Sequence, residues 1–412
     1  MQFKKIIYFF FILLLFISQI SAQDSIRLMT YNLLNFPDAN PARISYLKTI
    51  LQYSKPDILL VNELSNETGA NEVLVNALNT DGINYYSRAP FHNYDIQNNL
   101  LYYDTRKVGL LLADTIDASP RPIYYFKVYL KDWDLAQTMD TTFIHLFSVH
   151  LKALSGSADK QKRYDAARKL RTFIDNELNG EHILVGGDFN VYKSSESCLK
   201  VLMDSGIHKL HDPINATGTF NSQSFSTIHT QSTRTSDPGD GGSTGGLDDR
   251  FDLFLCSEDI YNGTGDLQSN PTDPNTYKAI GNDGQHYNIA LSDAPSVTIY
   301  PSDLIDALYN FSDHLPVVYN LKTNKDLVDG IEFLKKNTLK WYYDLNSKIL
   351  NIKTHVDNKA EITIFNQLGQ QVKLNSQVGF KEQKLNLSGL PKGTYIIRVM
   401  CSGEPYNIKC IR

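Results

Sequence analysis

Cysteine is scarce: only Cys198, Cys256, Cys401 and Cys410 occur among 412 residues, and no two stand in C-x-x-C spacing. That excludes a dense disulfide framework and argues against a structural zinc site. Cys401 and Cys410 flank a turn around Gly403-Glu404-Pro405. They either face each other there or remain two thiols. An excess of positive charge is also missing, since 40 Lys and Arg stand against 45 Asp and Glu for a net charge of -5. A broadly basic nucleic-acid-coating protein is thereby excluded, although a local patch and a bound cation still offset phosphate charge in a cleft. Long apolar runs are lacking too. The run Ile6–Ile17 falls short of the roughly 20 residues that span a bilayer.

That short run has a different meaning. Lys4 and Lys5 precede it and Ser21-Ala22 follows, which is the order of a secretory signal peptide over residues 1–22. No cysteine lies near the cleavage point, so a lipoprotein anchor is not expected. The rest of the chain is 42% hydrophobic and 21% charged, ordinary values for a protein with a substantial core. Its length suggests two domains, one of them large.

From Ile26 onward, short apolar runs alternate with amphipathic ones. Ile26–Tyr31, Asp57–Val61, Val108–Leu112, Ile123–Leu130, Phe143–Val149, Ile183–Val185, Phe251–Leu255 and Pro316–Leu321 read as strands. Several are apolar on both faces, as in a sheet covered on each side. Ala42–Tyr53 and Ser157–Leu178 have helical spacing, and Gly180 stops the second. Ser222–Asp249 is rich in Ser, Thr, Gly and Asp and reads as a long mobile loop. Its aspartates miss the spacing of a helix-loop-helix calcium site. The polar stretch Lys322–Asp329 closes this α/β region, and beyond it short strand candidates with little helix predict a small all-β sandwich.

Polar residues interrupt the strand patterns at their ends: Asn32, Glu63, His150, and the pair Asp188 and Asn190. One such residue would only satisfy a turn. Several at the same end of core strands assemble a site.

The motifs Met29-Thr30-Tyr31-Asn32, Pro56–Glu63, Ser148-Val149-His150-Leu151, Gly187-Asp188-Phe189-Asn190, Arg250–Leu255 and Ser312-Asp313-His314-Leu315-Pro316 follow one another over residues 26–321. In this order the chain resembles the endonuclease/exonuclease/phosphatase superfamily, which includes pancreatic-type deoxyribonuclease. The resemblance implies a four-layer sandwich of two packed, mostly antiparallel β-sheets flanked by helices, over residues 24–322. It also implies a divalent-metal-dependent phosphoester hydrolase, with Glu63, Asn32 and Asp313 at the metal. The cofactor expected is Mg2+, with Mn2+ or Ca2+ as alternatives, because hard cations take oxygen ligands and polarise phosphoryl oxygens. Asp252 and His314 resemble the family's coupled carboxylate–imidazole pair. Asp188 and Asn190 would position the attacking water, with Asp188 or His314 removing its proton, and His150 would donate to the phosphate. Arg121 and Tyr94 are the expected phosphate contacts on the substrate side.

The C-terminal segments Ala360–Val372 and Leu387–Val399 resemble the type IX secretion sorting domain of Bacteroidetes, assigned to residues 340–412 after a linker at 323–339. That implies a secreted or cell-surface protein, exported through the Sec pathway and then handled by the type IX machinery. No stable protein partner is expected. The substrate expected is nucleic acid. The alternatives are a phosphatase or a phospholipid- or sphingomyelin-type phosphodiesterase, and, from another class, a non-catalytic surface binder. The last has no use for the full acid, amide and imidazole set.

Overall fold

The computed structural model describes residues 24–38, 40–94, 97–132, 141–270, 273, 276–327, 339–344, 348–354, 359–378, 382–401 and 404–411. The proposed signal peptide lies outside them. Two compact units are present, one made of residues up to Leu130 with Thr142–Asp326, the other of Lys131–Thr141 with Leu327 onward.

Thirteen strands build the first unit: β1 (Ser25–Phe36), β2 (Ile58–Leu64), β3 (Tyr86–Arg88), β4 (Asn98–Asp104), β5 (Val108–Ile116), β6 (Ile123–Leu130) and β7 (Phe143–His150), followed by β8 (Ile183–Asp188), β9 (Leu210–His211), β10 (Asp252–Ser257), β11 (Leu267–Gln268), β12 (Tyr277–Ala279) and β13 (Val317–Thr323). One sheet runs β11-β13-β1-β2-β4-β3, with β12 also pairing β13, and the other runs β5-β6-β7-β8-β10-β9. Within these two sheets β1 with β2 and β7 with β8 are parallel, and the other neighbouring strands are antiparallel. The two sheets face each other. Strands such as β2 and β8 are buried along their length because each is covered on both sides.

Helices form the outer layers. Ser157–Glu177 and Ser197–Met203 press Ala166, Leu170, Ile174, Leu199 and Leu202 onto Phe147, Val149, Val185, Leu253 and Leu255. On the other sheet's side, Ile44–Ser54 and Ser302–Phe311 pack together and bury Leu47, Ile50, Leu51, Leu304, Leu308 and Phe311. The expected four-layer sandwich is therefore the observed architecture.

Ser222–Asp249 departs from expectation. It carries a helical turn at Gln223–Ile228, buries His229, Thr230, Ser232, Thr233 and Arg234, and is hydrogen-bonded through Thr230–Thr233 and Ser243 to the segment Ser312–Leu315. Ser and Thr hydroxyls satisfy buried backbone groups here, so a composition typical of loops folds into packed structure.

The second unit has strands β14 (Leu339–Asp344), β15 (Ile349–Thr354), β16 (Lys359–Asn366), β17 (Gln371–Val378), β18 (Glu382–Asn386), β19 (Thr394–Cys401) and β20 (Glu404–Ile411). They form sheets β14-β15-β18 and β17-β16-β19-β20 around Leu350, Ile352, Ile362, Ile364, Ile397 and Val399. In the β19–β20 hairpin Cys401 is opposite Glu404 and Cys410 opposite Tyr395, so the register does not set the two cysteines facing each other. Among the described residues no helix is long and apolar enough to cross a membrane.

Candidate active site

Strand register delivers the site. His150 is the Cα partner of Asp188 across β7–β8, and Asp188 is the partner of Asp252 across β8–β10. Three titratable side chains thus stand in one row across a sheet, at strand spacing. In the facing sheet Asn32 is the partner of Asn62, which precedes Glu63. Asn62 then ties the sheets together, donating to Val149 O at 3.0 Å and accepting from Asp188 N at 3.1 Å. Gly187, in β8 opposite Val149 and just before Asp188, has φ 143° and lies where a Cβ would stand 2.0 Å from Val149 O, so only glycine fits.

Glu63 (φ 57°) and Asn190 (φ 51°) are left-handed non-glycine residues flanking the cluster. Such conformations cost energy and persist only where the surroundings enforce them. Asn35 N holds Glu63 Oε2 at 3.2 Å. For Asn190, its own N donates to Asp188 Oδ1 at 2.9 Å and its Nδ2 to Leu151 O at 3.1 Å.

At the centre, Asn32 Nδ2 donates to Glu63 Oε1 at 3.1 Å and to Asp188 Oδ2 at 3.3 Å. His150 Nε2 lies 3.6 Å from each of these oxygens. His314 Nδ1 is 2.7 Å from Asp252 Oδ2, and its Nε2 is 4.0 Å from Asp188 Oδ2. Asp313 Oδ2 accepts from Ser243 N at 2.7 Å and from Gln231 Nε2 at 3.1 Å. Arg121 donates from Nη1 to Leu151 O at 3.4 Å and from Nη2 to Gln97 Oε1, while Gln97 Nε2 donates to Asn35 Oδ1 at 3.1 Å. Tyr94 is 54% exposed, and its hydroxyl bonds Thr115 Oγ1 at 2.8 Å on β5, away from the carboxylates' own partners.

Burial sets the charge states. Burial and the neighbouring Asp313 raise Glu63 above the usual carboxylate range, against the Asn32 hydrogen bond. Burial, with Asp252 and Glu63 adding repulsion, pushes Asp188 up to about 7 despite His314. Burial, then Arg121, His314 and Lys152, hold His150 well below its ordinary value, so it is neutral. Burial also works against His314, but Asp252, Asp313 and Asp188 outweigh it and raise it well above.

Glu63, His150 and Asp188 each offer a ligand atom, all within 4.8 Å of one another. A half-buried and a buried carboxylate whose ionisation is disfavoured, served by one shared amide and a neutral imidazole, suit a divalent cation, which would supply the missing charge. Asp313 Oδ1 is also buried and unpartnered. The residues present fit the metal.

The sequence-expected set therefore converges, except that Tyr94 keeps to the rim. Asn62, Asn35, Gln97 and Gln231 were not anticipated. Asn62 had a signal, an amide inside an otherwise apolar strand. Gln231 had none, lying in a stretch that reads as loop.

Residues 29–314 match the model of the Endonuclease/Exonuclease/phosphatase family, and residues 346–411 match that of the secretion system C-terminal sorting domain, the mark of type IX export. No curated protein matches the chain. Similar solved structures include D. rerio TDP2 complexed with single strand DNA product (15% identity, TM-score 0.47, 73% of this chain and 100% of that one). A family protein from Bacteroides thetaiotaomicron has 15% identity and TM-score 0.46 over 73% of this chain and 99% of its own. The human Nocturnin catalytic domain with bound sulfate has 14% identity and TM-score 0.45 over 73% and 98%. Since the family model spans more than half of the sequence, the chain belongs to the endonuclease/exonuclease/phosphatase family of divalent-metal-dependent phosphoester hydrolases.

Proposed function

We propose that this protein is a secreted, Mg2+-dependent phosphodiesterase that hydrolyses extracellular nucleic acid, with Mn2+ or Ca2+ as alternative metals. The observation that carries the reading is the convergence of Glu63, His150 and Asp188 within 4.8 Å beside the Asp252–His314 pair. Glu63 would hold the metal, with Asp313 as the second carboxylate and Asn32 orienting Glu63, while Asp188 and His150 line the same site and act on the water and the phosphate. When bound, the cation supplies charge stabilisation to phosphoryl oxygens.

The chain's own groups do the rest. Asp252 fixes the His314 ring through Nδ1 and leaves Nε2 facing the site. Asp188, which burial raises to about 7, and Asn190 position the attacking water, and Asp188 or His314 takes its proton. His150, neutral and buried, donates to the phosphate as negative charge develops there. Arg121 and Tyr94 contact the substrate from the rim. Export runs through the Sec pathway before the type IX system.

A second reading has an observation behind it. Arg121, His314 and Lys152 are cationic groups felt by His150, and the net charge is -5. That suits a short phosphodiester or a lipid headgroup as well as a polymer, because extended duplex contact draws on many basic groups. Assaying plasmid, single-stranded DNA, RNA, a phospholipid and small phosphate esters, each with and without Mg2+, separates the two. Cleavage of any nucleic acid supports the first reading. Hydrolysis confined to lipid or small esters overturns it.

A further inference from the structure

His314 has two ring nitrogens, and Asp252 occupies Nδ1. Nε2 is therefore the atom left for chemistry, and a side chain from outside the recognised motifs already sits on it. Gln231 Nε2 lies 2.6 Å from His314 Nε2 and 3.1 Å from Asp313 Oδ2. The amide nitrogen, not the oxygen, faces Asp313, because an amide oxygen so close to a carboxylate oxygen would be repelled; it then donates to His314 Nε2 only while the ring is neutral with its proton on Nδ1, and a proton arriving on Nε2 displaces it.

Its placement is enforced by the backbone. Gln231 bridges to both Asp249 and His314, with Gln231 N donating to Asp249 O at 3.1 Å and Gln231 O accepting from Asp248 N at 2.9 Å and Asp249 N at 3.0 Å. The next residue is pinned as well, Ser232 N donating to Gly246 O at 2.8 Å. The side chain is half-buried and carries no charge. A phosphate oxygen approaching His314 Nε2 enters the space of this amide, and Asp188 Oδ2 stands 4.0 Å from the same nitrogen. A carboxamide NH2 has two donors. One can stay on Asp313 while the other turns from the imidazole to the incoming oxygen.

We propose that Gln231 is a substrate-contacting residue, its side-chain amide donating to one non-bridging oxygen of the scissile phosphate while remaining anchored on Asp313. This rests on the phosphodiesterase reading and adds a neutral donor to it. A neutral donor accepts the charge that develops on the phosphate without strengthening the hold on free anions.

The test uses the full chain with Mg2+ and the para-nitrophenyl ester of thymidine monophosphate, as the oxygen ester and as each of its two phosphorothioate diastereomers. Sulfur accepts hydrogen bonds poorly, so it reports contact to one particular oxygen. Gln231→Ala should lower kcat/KM on the oxygen ester by about 10- to 100-fold, the loss of one hydrogen bond to a charged group. In one diastereomer the sulfur penalty of the unsubstituted protein should vanish in the variant, while in the other it persists. Gln231→Met, close in shape, should behave like the alanine variant if it melts like the parent. Equal slowing of all three substrates would assign Gln231 to holding His314 alone and overturn the proposal, as would unchanged rates. Absence of turnover by the unsubstituted protein on any phosphodiester would instead take down the phosphodiesterase reading, and this inference with it.

Discussion

Arg163 is fully buried, and its guanidinium joins the loops that follow His150 and Asn190. Nε and Nη2 reach Glu196 Oε2 at 3.1 and 2.8 Å, while Nη1 donates to Lys152 O at 2.6 Å and Leu154 O at 2.7 Å. Glu196 Oε1 accepts from Tyr192 N at 2.9 Å. Glu196→Ala deletes all three carboxylate bonds and leaves a buried cation with backbone carbonyls but without its carboxylate partner. Breaking a buried pair from one side costs about 3 to 5 kcal/mol, most of it the desolvated charge left behind. Urea denaturation followed by circular dichroism should show that loss in the transition of the catalytic unit, little changed by salt, since buried pairs are weakly screened. The double variant Arg163→Met with Glu196→Leu should recover most of it, because no charge remains to be desolvated. A loss below about 1 kcal/mol for Glu196→Ala, the range of exposed pairs, would refute the reasoning.

Burial, with Lys127 and His182 adding, lowers His145 to about 4, so the fold holds it neutral. The unfolded chain takes up that proton near pH 6.5. Stability from this group is therefore complete above pH 6.5 and falls as pH drops towards 4, by at most about 3 kcal/mol. In urea titrations His145→Gln should flatten that slope, and an unchanged slope would contradict the assignment. Asp252→Asn should lower kcat by about 10- to 100-fold by loosening the His314 ring; steady-state kinetics at fixed Mg2+ decide it.

Much of this was legible in the sequence because strand ends are. Asn32, Glu63, His150 and Asp188 break apolar runs whose register then sets them side by side. Helix Ser157–Glu177 and strand Ile123–Leu130 were equally plain, from periodicity and from β-branched and aromatic content. The segment Ser222–Asp249 was not. Its order comes from backbone bonds to Ser312–Leu315, a contact remote in sequence that no local pattern encodes. Gln231 is hidden for that reason. The short strand Tyr86–Arg88 and the helix Ser302–Phe311 were likewise missed, since each is fixed by the element it packs on.

The central claim is that the carboxylate–imidazole cluster works through a divalent cation, and it is tested by phosphodiester turnover during Mg2+ titration of the parent and of Glu63→Gln. In the parent, turnover should rise to saturation with Mg2+ and stop with a chelator. In the variant it should fall by at least about 100-fold at the same Mg2+. Metal-independent turnover, or parental rates in Glu63→Gln, would contradict it.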